Sequence, residues 1–394
     1  MIDDQLRNYA SAPDSASAFG SASASGSSRL RAEEVLAHAR RSHRRRRAAL
    51  VAATGGLTAA VIVLAALVLR VPAPAPVPSV TVAVPGGCQV TTLPLPPGVT
   101  GATVTGADPT GRFVVGAPFP SDDTAPAVTV LWTDGTPRLL PAGFLAAAVS
   151  SSGLVVGTRG RLEDRRAAIL RDGAVTDLPL PDGAVISDAV AVNGRGEIAG
   201  IVYYPDYSAR AVVWPPAHDR ARLLQAGSAG KQDTMAAGIG EDGTVVGTVG
   251  ERERAYRWAS DGTGVALRLP EGYRSSEGQA ITGDWAIGVA STSRGGEDGK
   301  EELVARSTPV RWNLATGAID HGFPVVPVAV DGTGAIAGRG TGEQATVWRD
   351  GTVFTLPSPE GRRAIVSGFA GDSHTLVGHS DRPGGLAPVV WHGC

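Results

Sequence analysis

The chain has 394 residues, with 36 Lys and Arg against 38 Asp and Glu, 52 glycines, 28 prolines and two cysteines. That length accommodates one large domain or two ordinary ones, and two cysteines make at most one bridge, which excludes a disulfide-scaffolded fold. After residue 70 the chain is mildly acidic, with 26 basic and 33 acidic residues, so it has no basic field to bind nucleic acid by counterion release.

Residues 1–28 are rich in Ala, Ser and Gly, a composition that buries too little apolar surface to order itself. Residues 30–41 have the spacing of a short basic helix, and 1–47 together read as a flexible basic cytoplasmic tail. Ala48 to Leu69 is a 22-residue run without a charge, which as a helix spans about 30 Å, the thickness of a bilayer's hydrocarbon core. Arg40, Arg41 and Arg44 to Arg47 stand just before it. Arginine clusters stay on the cytoplasmic side, so residues 48–70 are predicted to be an uncleaved single-pass anchor with the N-terminus inside. A cleaved signal peptide is the competing reading, but its charged region and apolar core are normally shorter. Residues 71–87, with Pro72, Pro74, Pro76 and Pro78, read as an extended, semi-rigid spacer.

Residues 88–394 repeat. Each unit has a small-apolar strand, a Gly turn, an apolar pair ending in Gly, a variable loop, a strand ending in Trp, a turn, and a strand ending near Leu-Pro. The glycine recurs at Gly116, Gly157, Gly200, Gly247, Gly288, Gly338 and Gly378, at intervals of 40 to 50 residues. The third-strand aromatic recurs at Trp132, Trp214, Trp258, Trp312, Trp348 and Trp391, with Leu170 in its place in the second unit. Four short strands at this period predict an all-β, seven-bladed β-propeller, with a solenoid or a six- or eight-bladed ring as the competing architectures. Asp134-Gly135, Asp172-Gly173, Asp261-Gly262 and Asp350-Gly351 follow the third strand, as tight hairpins favour.

The last unit lacks a fourth strand, and the repeat region opens with an orphan one, residues 88–96, matching Phe354-Thr-Leu-Pro357. The N-terminal strand is therefore expected to complete the C-terminal blade and close the ring, which protects sheet edges. Three residues beyond Trp348 is Gly351, and three beyond Trp391 is Cys394; five before Leu356 is Gly351, and five before Leu93 is Cys88. Both cysteines fall at one hairpin-turn position, so a Cys88–Cys394 disulfide is predicted to replace the missing covalent turn.

Ala191-Val-Asn-Gly-Arg-Gly-Glu-Ile-Ala-Gly200 and Ala211-Val-Val-Trp214 resemble the HAF-type repeats of exported bacterial proteins. Those repeats combine an Ala-rich strand, Asn/Asp-x-x-Gly, an apolar pair with Gly, and an aromatic-rich strand with Trp. The His-Ala-Phe triplet itself is absent, with Ala209-Arg-Ala211 and Ala255-Tyr-Arg257 near its place. The resemblance covers most of 101–394 and implies a fold and an exported location, but no activity.

No motif of nucleophilic catalysis or phosphate binding occurs. His218, His321, His374, His379 and His392 lack zinc-like spacing and read as surface or turn histidines. The acidic stretches lack a calcium-loop ladder. No catalytic residue, metal site or cofactor is therefore assigned. The loops between second and third strands vary most, at 117–127, 158–167, 201–209, 248–254, 289–306, 339–344 and 379–388, and variable loops on a rigid scaffold are where binding concentrates. The ligand-binding candidates are Tyr203, Tyr204 and Tyr207, which form an aromatic cluster, Arg159, Arg161 and Arg252, which add charge, and Trp285, which stands outside the Trp repeat. The expected function is a membrane-tethered extracytoplasmic propeller acting as a binding or scaffold module at the cell surface, with a protein or glycan as its ligand. The alternative is an exported hydrolase or lyase with its site at the propeller channel.

Overall fold

The computed structural model describes residues 82–83, 87–119, 128–160, 164–226, 233–250, 254–292, 307–371 and 373–394. The predicted tail 1–47, the anchor 48–70 and most of the spacer 71–87 lie outside the described residues. Among the described residues, no helix is long and apolar enough to cross a membrane.

After β1 (Val82–Ala83) and β2 (Gln89–Thr92), the strands come in fours. Blade I is β3 (Ala102–Ala107), β4 (Phe113–Pro118), β5 (Val130–Thr133) and β6 (Thr136–Leu139). Blade II is β7 (Phe144–Val149), β8 (Val155–Arg159), β9 (Arg166–Arg171) and β10 (Ala174–Asp177). Blade III is β11 (Ile186–Val192), β12 (Ile198–Tyr203), β13 (Ala209–Trp214) and β14 (Arg222–Leu223). Blade IV is β15 (Thr234–Ile239), β16 (Val245–Val249), β17 (Arg254–Trp258) and β18 (Gly264–Ala266). Blade V is β19 (Ser275–Thr282), β20 (Trp285–Ser291), β21 (Ser307–Asn313) and β22 (Ile319–His321). Blade VI is β23 (Val326–Val330), β24 (Ile336–Arg339), β25 (Ala345–Arg349) and β26 (Thr352–Thr355). Blade VII is β27 (Ala364–Phe369), β28 (Leu376–Arg382) and β29 (Gly385–His392), with β2 as its fourth strand.

Each blade is an antiparallel meander whose strands are called A to D from first to fourth. The seven A strands contact one another in succession, and β27 returns to β3, so they form the inner wall of a closed ring. This is the seven-bladed propeller that the period predicts. The lower face carries the A–B and C–D turns; the upper face carries the B–C loops and the connections between blades.

One arrangement explains the repeat. In every blade the A strand carries a bulge at the same place, for example between Val104 and Gly106, between Ala236 and Gly238, and between Val366 and Gly368. The B-strand glycine sits opposite that bulge. A Cβ on Gly116, Gly247 or Gly378 would collide with the carbonyl oxygen of Thr103, Met235 or Ile365, and the other four glycines are hemmed in the same way. The bulge bends and twists the strand locally, and only glycine leaves room for the carbonyl that this bend turns inward. The C-strand tryptophan covers the glycine: the Cζ3 atoms of Trp132 and Trp391 lie 3.1 and 2.9 Å from where such Cβ atoms would stand.

The same tryptophans tie neighbouring blades. Indole Nε1 donates to a backbone carbonyl at the exit of the preceding blade: Trp132 to Pro94 (2.6 Å), Trp214 to Pro179 (2.8 Å), Trp258 to Gln225 (2.8 Å), Trp312 to Arg268 (2.8 Å) and Trp391 to Pro357 (2.6 Å). A buried indole N–H without a partner is costly, so each bond fixes an inter-blade distance as well as filling the core. Trp348 departs from the pattern. It is half-buried, stacks on Phe323 with ring centroids 5.1 Å apart, and receives the Arg311 guanidinium at 4.7 Å.

Ring closure follows the predicted register. β2 pairs with β29 through Gln89↔His392 and Val90↔Trp391, as β26 pairs with β25 through Thr352↔Arg349 and Val353↔Trp348. Cys88 and Cys394 are disulfide-bonded, with their Cα atoms 4.6 Å apart. Asp134-Gly135, Asp172-Gly173 and Asp350-Gly351 have positive φ at both positions, as two-residue hairpins require. Asp261-Gly262 differs. Only Gly262 has positive φ, in a longer turn closed by its N–H to the Ala259 carbonyl (2.8 Å).

Two further segments differ from the sequence reading. Val82 and Ala83, assigned to the spacer, pair in parallel with Val353 and Phe354 on the outer edge of blade VI. The loop assigned to 379–388 is mostly strand, because β28 and β29 pair as far as Arg382↔Gly385 and leave a two-residue turn.

Candidate functional site

Of the B–C loops, residues 204–208 in blade III, 340–344 in blade VI and the turn 383–384 in blade VII are wholly described, and all three emerge on the upper face. The blade III loop carries the three tyrosines. Tyr203 ends β12, paired with Ile186 and Ala209. Tyr204 N–H donates to the Ser208 carbonyl and Tyr207 N–H to the Tyr204 carbonyl, both at 3.0 Å. Asp206 Oδ1 accepts the Ser208 N–H at 3.1 Å and its hydroxyl at 2.7 Å. These bonds hold the Asp206 carboxyl below the usual carboxylate range, so it is ionised at neutral pH. Tyr207 takes a left-handed backbone, with φ of 69°, a conformation an aromatic residue seldom adopts and one that occurs disproportionately at binding sites.

This loop borders an open depression of about 410 Å³ lined by Tyr204, Pro205, Asp206, Ser208 and Arg210. The Tyr204 ring stands beside Gly183 in the connection from blade II, at 3.8 Å from where a Cβ would be. Burial, followed by the nearby Asp182 and Asp206 charges, pushes its hydroxyl pKa up against the opposing pull of Arg210. Arg210 Nη1 donates to the Ala209 carbonyl at 2.9 Å and lies 3.6 Å from Asp233.

The other candidates do not join this cluster. Arg159 ends β8 in blade II and is engaged with Asp177 through Nε at 2.7 Å and a second bond from Nη2. Arg161 and Arg252 lie outside the described residues. Trp285 begins β20 and so stands at the lower end of its blade, where its ring stacks on the Arg311 guanidinium at 4.3 Å. Arg311 also lies against Trp348 and donates to Gly334 O at 2.5 Å. Trp285 thus joins blades V and VI on the face opposite the B–C loops.

The A-strand position whose carbonyl faces the B-strand glycine reads Thr103, Leu145, Asp188, Met235, Glu277, Val326 and Ile365. It holds two carboxylates, of which Asp188 accepts Arg165 Nη2 at 2.8 Å. Among the described residues, no three His, Cys, Asp or Glu side chains converge to hold a metal ion. His379 is not the surface histidine expected. It lies in β28 at 5% exposure with Nδ1 unpartnered, and burial pushes its pKa down to about 4.

Asp206, Ser208 and Arg210 are the site residues that sequence reasoning passed over. Their signal was an Asp two residues before a Ser, the pattern of a side chain that caps its own turn.

No protein-family model and no curated protein matches the chain. Among solved structures it is similar to the oligogalacturonate lyase from Vibrio parahaemolyticus, at 12% identity and a TM-score of 0.50, over 77% of this chain and 93% of that one. It is also similar to the virginiamycin B lyase from Staphylococcus aureus, at 14% identity and a TM-score of 0.49, over 77% and 98% of the two chains. At these identities the likeness is one of fold, and fold does not carry function with it.

Proposed function

We propose that the chain is an extracytoplasmic binding propeller, anchored by residues 48–70 with its N-terminus in the cytoplasm, that engages a protein or glycan on its upper face. The observation that carries this reading is the Cys88–Cys394 disulfide. Cytoplasmic thiols are kept reduced, whereas exported proteins use such bridges as staples. Here the bridge takes the place of a hairpin turn in the closing blade. The uncharged run Ala48 to Leu69 behind six arginines agrees with it, because that pattern retains the N-terminus inside.

The path of the chain supports the upper face as the binding face. Val82 and Ala83 run parallel to β26, and β26 rises from a lower-face turn. The segment therefore approaches from the lower side, opposite the upper loops.

The test uses the chain's only two lysines, Lys231 and Lys300, both in the propeller region. A membrane-impermeant amine reagent applied to intact cells is expected to label both. Labelling that requires lysis contradicts the reading.

A further inference from the structure

We propose that the depression in front of blade III is a subsite for a neutral saccharide, formed by Tyr204, Pro205, Asp206, Ser208 and Arg210. This deepens the binding function proposed above and rests on it for the setting in which the ligand is met.

The lining pairs an aromatic and an apolar side chain with polar groups of both kinds. Half-buried Tyr204 and exposed Pro205 supply its apolar part, against which the C–H face of a sugar would pack. Asp206 is an ionised acceptor, and both of its bonds to Ser208 land on Oδ1. Arg210 supplies a guanidinium donor at the same rim. Sugar hydroxyls donate and accept at once, so neighbouring hydroxyls match a carboxylate beside a guanidinium. The lining sets one carboxylate, Asp206, against one guanidinium, Arg210, so it carries no net charge that favours an ion over a neutral ligand. An extended peptide has no ladder to join, because β12 is paired on both sides, by β11 and by β13.

The site is also preorganised. The hairpin 204–208 is closed by two backbone bonds and the Asp206 cap, so little ordering cost is left for binding. At about 410 Å³ it is open to solvent, not enclosed.

The test titrates the full-length chain with neutral oligosaccharides of glucose and of N-acetylglucosamine by calorimetry, in a detergent without a sugar headgroup. One series is expected to bind. Tyr204→Ala and Asp206→Asn should each weaken that binding by about tenfold, the scale of losing one good contact. Tyr204→Phe, which keeps the ring, should stay within about threefold, on the same scale. An intact Cys88–Cys394 bridge and an unchanged melting temperature establish that each variant is folded. Absence of binding to both series, or binding that Tyr204→Ala and Asp206→Asn leave unchanged, overturns the subsite. Failure here alongside lysine labelling of intact cells removes the saccharide site alone, whereas failure of the labelling removes the exported setting.

Discussion

Blades VI and VII carry their third and fourth strands in one register, but Asp350-Gly351 joins those strands in blade VI and the Cys88–Cys394 disulfide joins them in blade VII. Their second strands also diverge just past the recurring glycine, Gly338 and Gly378. Blade VI has Arg339, exposed and paired with Glu343 at 3.2 Å, where blade VII has the buried His379. The pairing therefore does not need a peptide link at that turn. The side chains under the bulge determine the sheet, and the covalent joint determines how much entropy the unfolded chain regains when the ring opens.

The largest effect that separates the two blades is loss of the bridge. Cys394→Ala should destabilise the propeller by about 3–5 kcal/mol, because the bridge closes a very long loop. Denaturant unfolding with and without reductant measures it, and reductant should leave the variant unchanged.

The second effect is pH-dependent and belongs to blade VII. Burial lowers the His379 pKa from 6.5 to about 4, with Asp381 opposing the shift and Arg363 adding to it. The unfolded chain therefore binds the proton more readily. The stability contribution is complete above pH 6.5 and is lost as pH falls from 6.5 toward 4, by on the order of 3 kcal/mol. His379→Gln should flatten the melting profile across that window.

Two glycines of blade VI sharpen the third contrast. Gly338→Ala drives a Cβ into the Val326 carbonyl and should cost about 2–3 kcal/mol. Gly351→Ala meets no atom within 4 Å and should cost only about 1 kcal/mol for its left-handed backbone. Thermal unfolding of the pair compares them directly.

The smallest contrast is between tryptophans. Trp391→Phe strands the Pro357 carbonyl and empties space in a fully buried site, for about 2 kcal/mol. Trp348→Phe, half-buried and without that bond, should cost about 1 kcal/mol on the same scale.

The repeat was readable because its signals are side-chain identities imposed by close contacts. A glycine that no Cβ can replace and an indole that must reach the preceding blade recur at fixed spacing, and counting from Trp391 and Leu93 placed both cysteines at the turn. The bulges were not readable, because the strands that carry them hold ordinary small residues such as Ala146 and Ala189, with no marker for two residues facing one. Residues 379–388 read as loop from sequence because Pro383-Gly384 is a break signal in a segment that the pairing extends as strand. His379 gave no sign of burial, since a lone histidine in a polar stretch looks the same whether a blade covers it or water does. The tyrosine cluster was visible as composition. Its rigidity was not, because it depends on how Asp206 caps Ser208. Trp285 was conspicuous for lying outside the repeat, and its partner Arg311 comes close only through the fold.

The most direct test is to isolate the full-length chain from its own cells, alkylate free thiols at once, digest without reductant and map the peptides. The account predicts that the peptide containing Cys88 is recovered linked to the one containing Cys394, with no alkylated copy of either. Two alkylated cysteines would contradict the disulfide and the extracytoplasmic setting inferred from it.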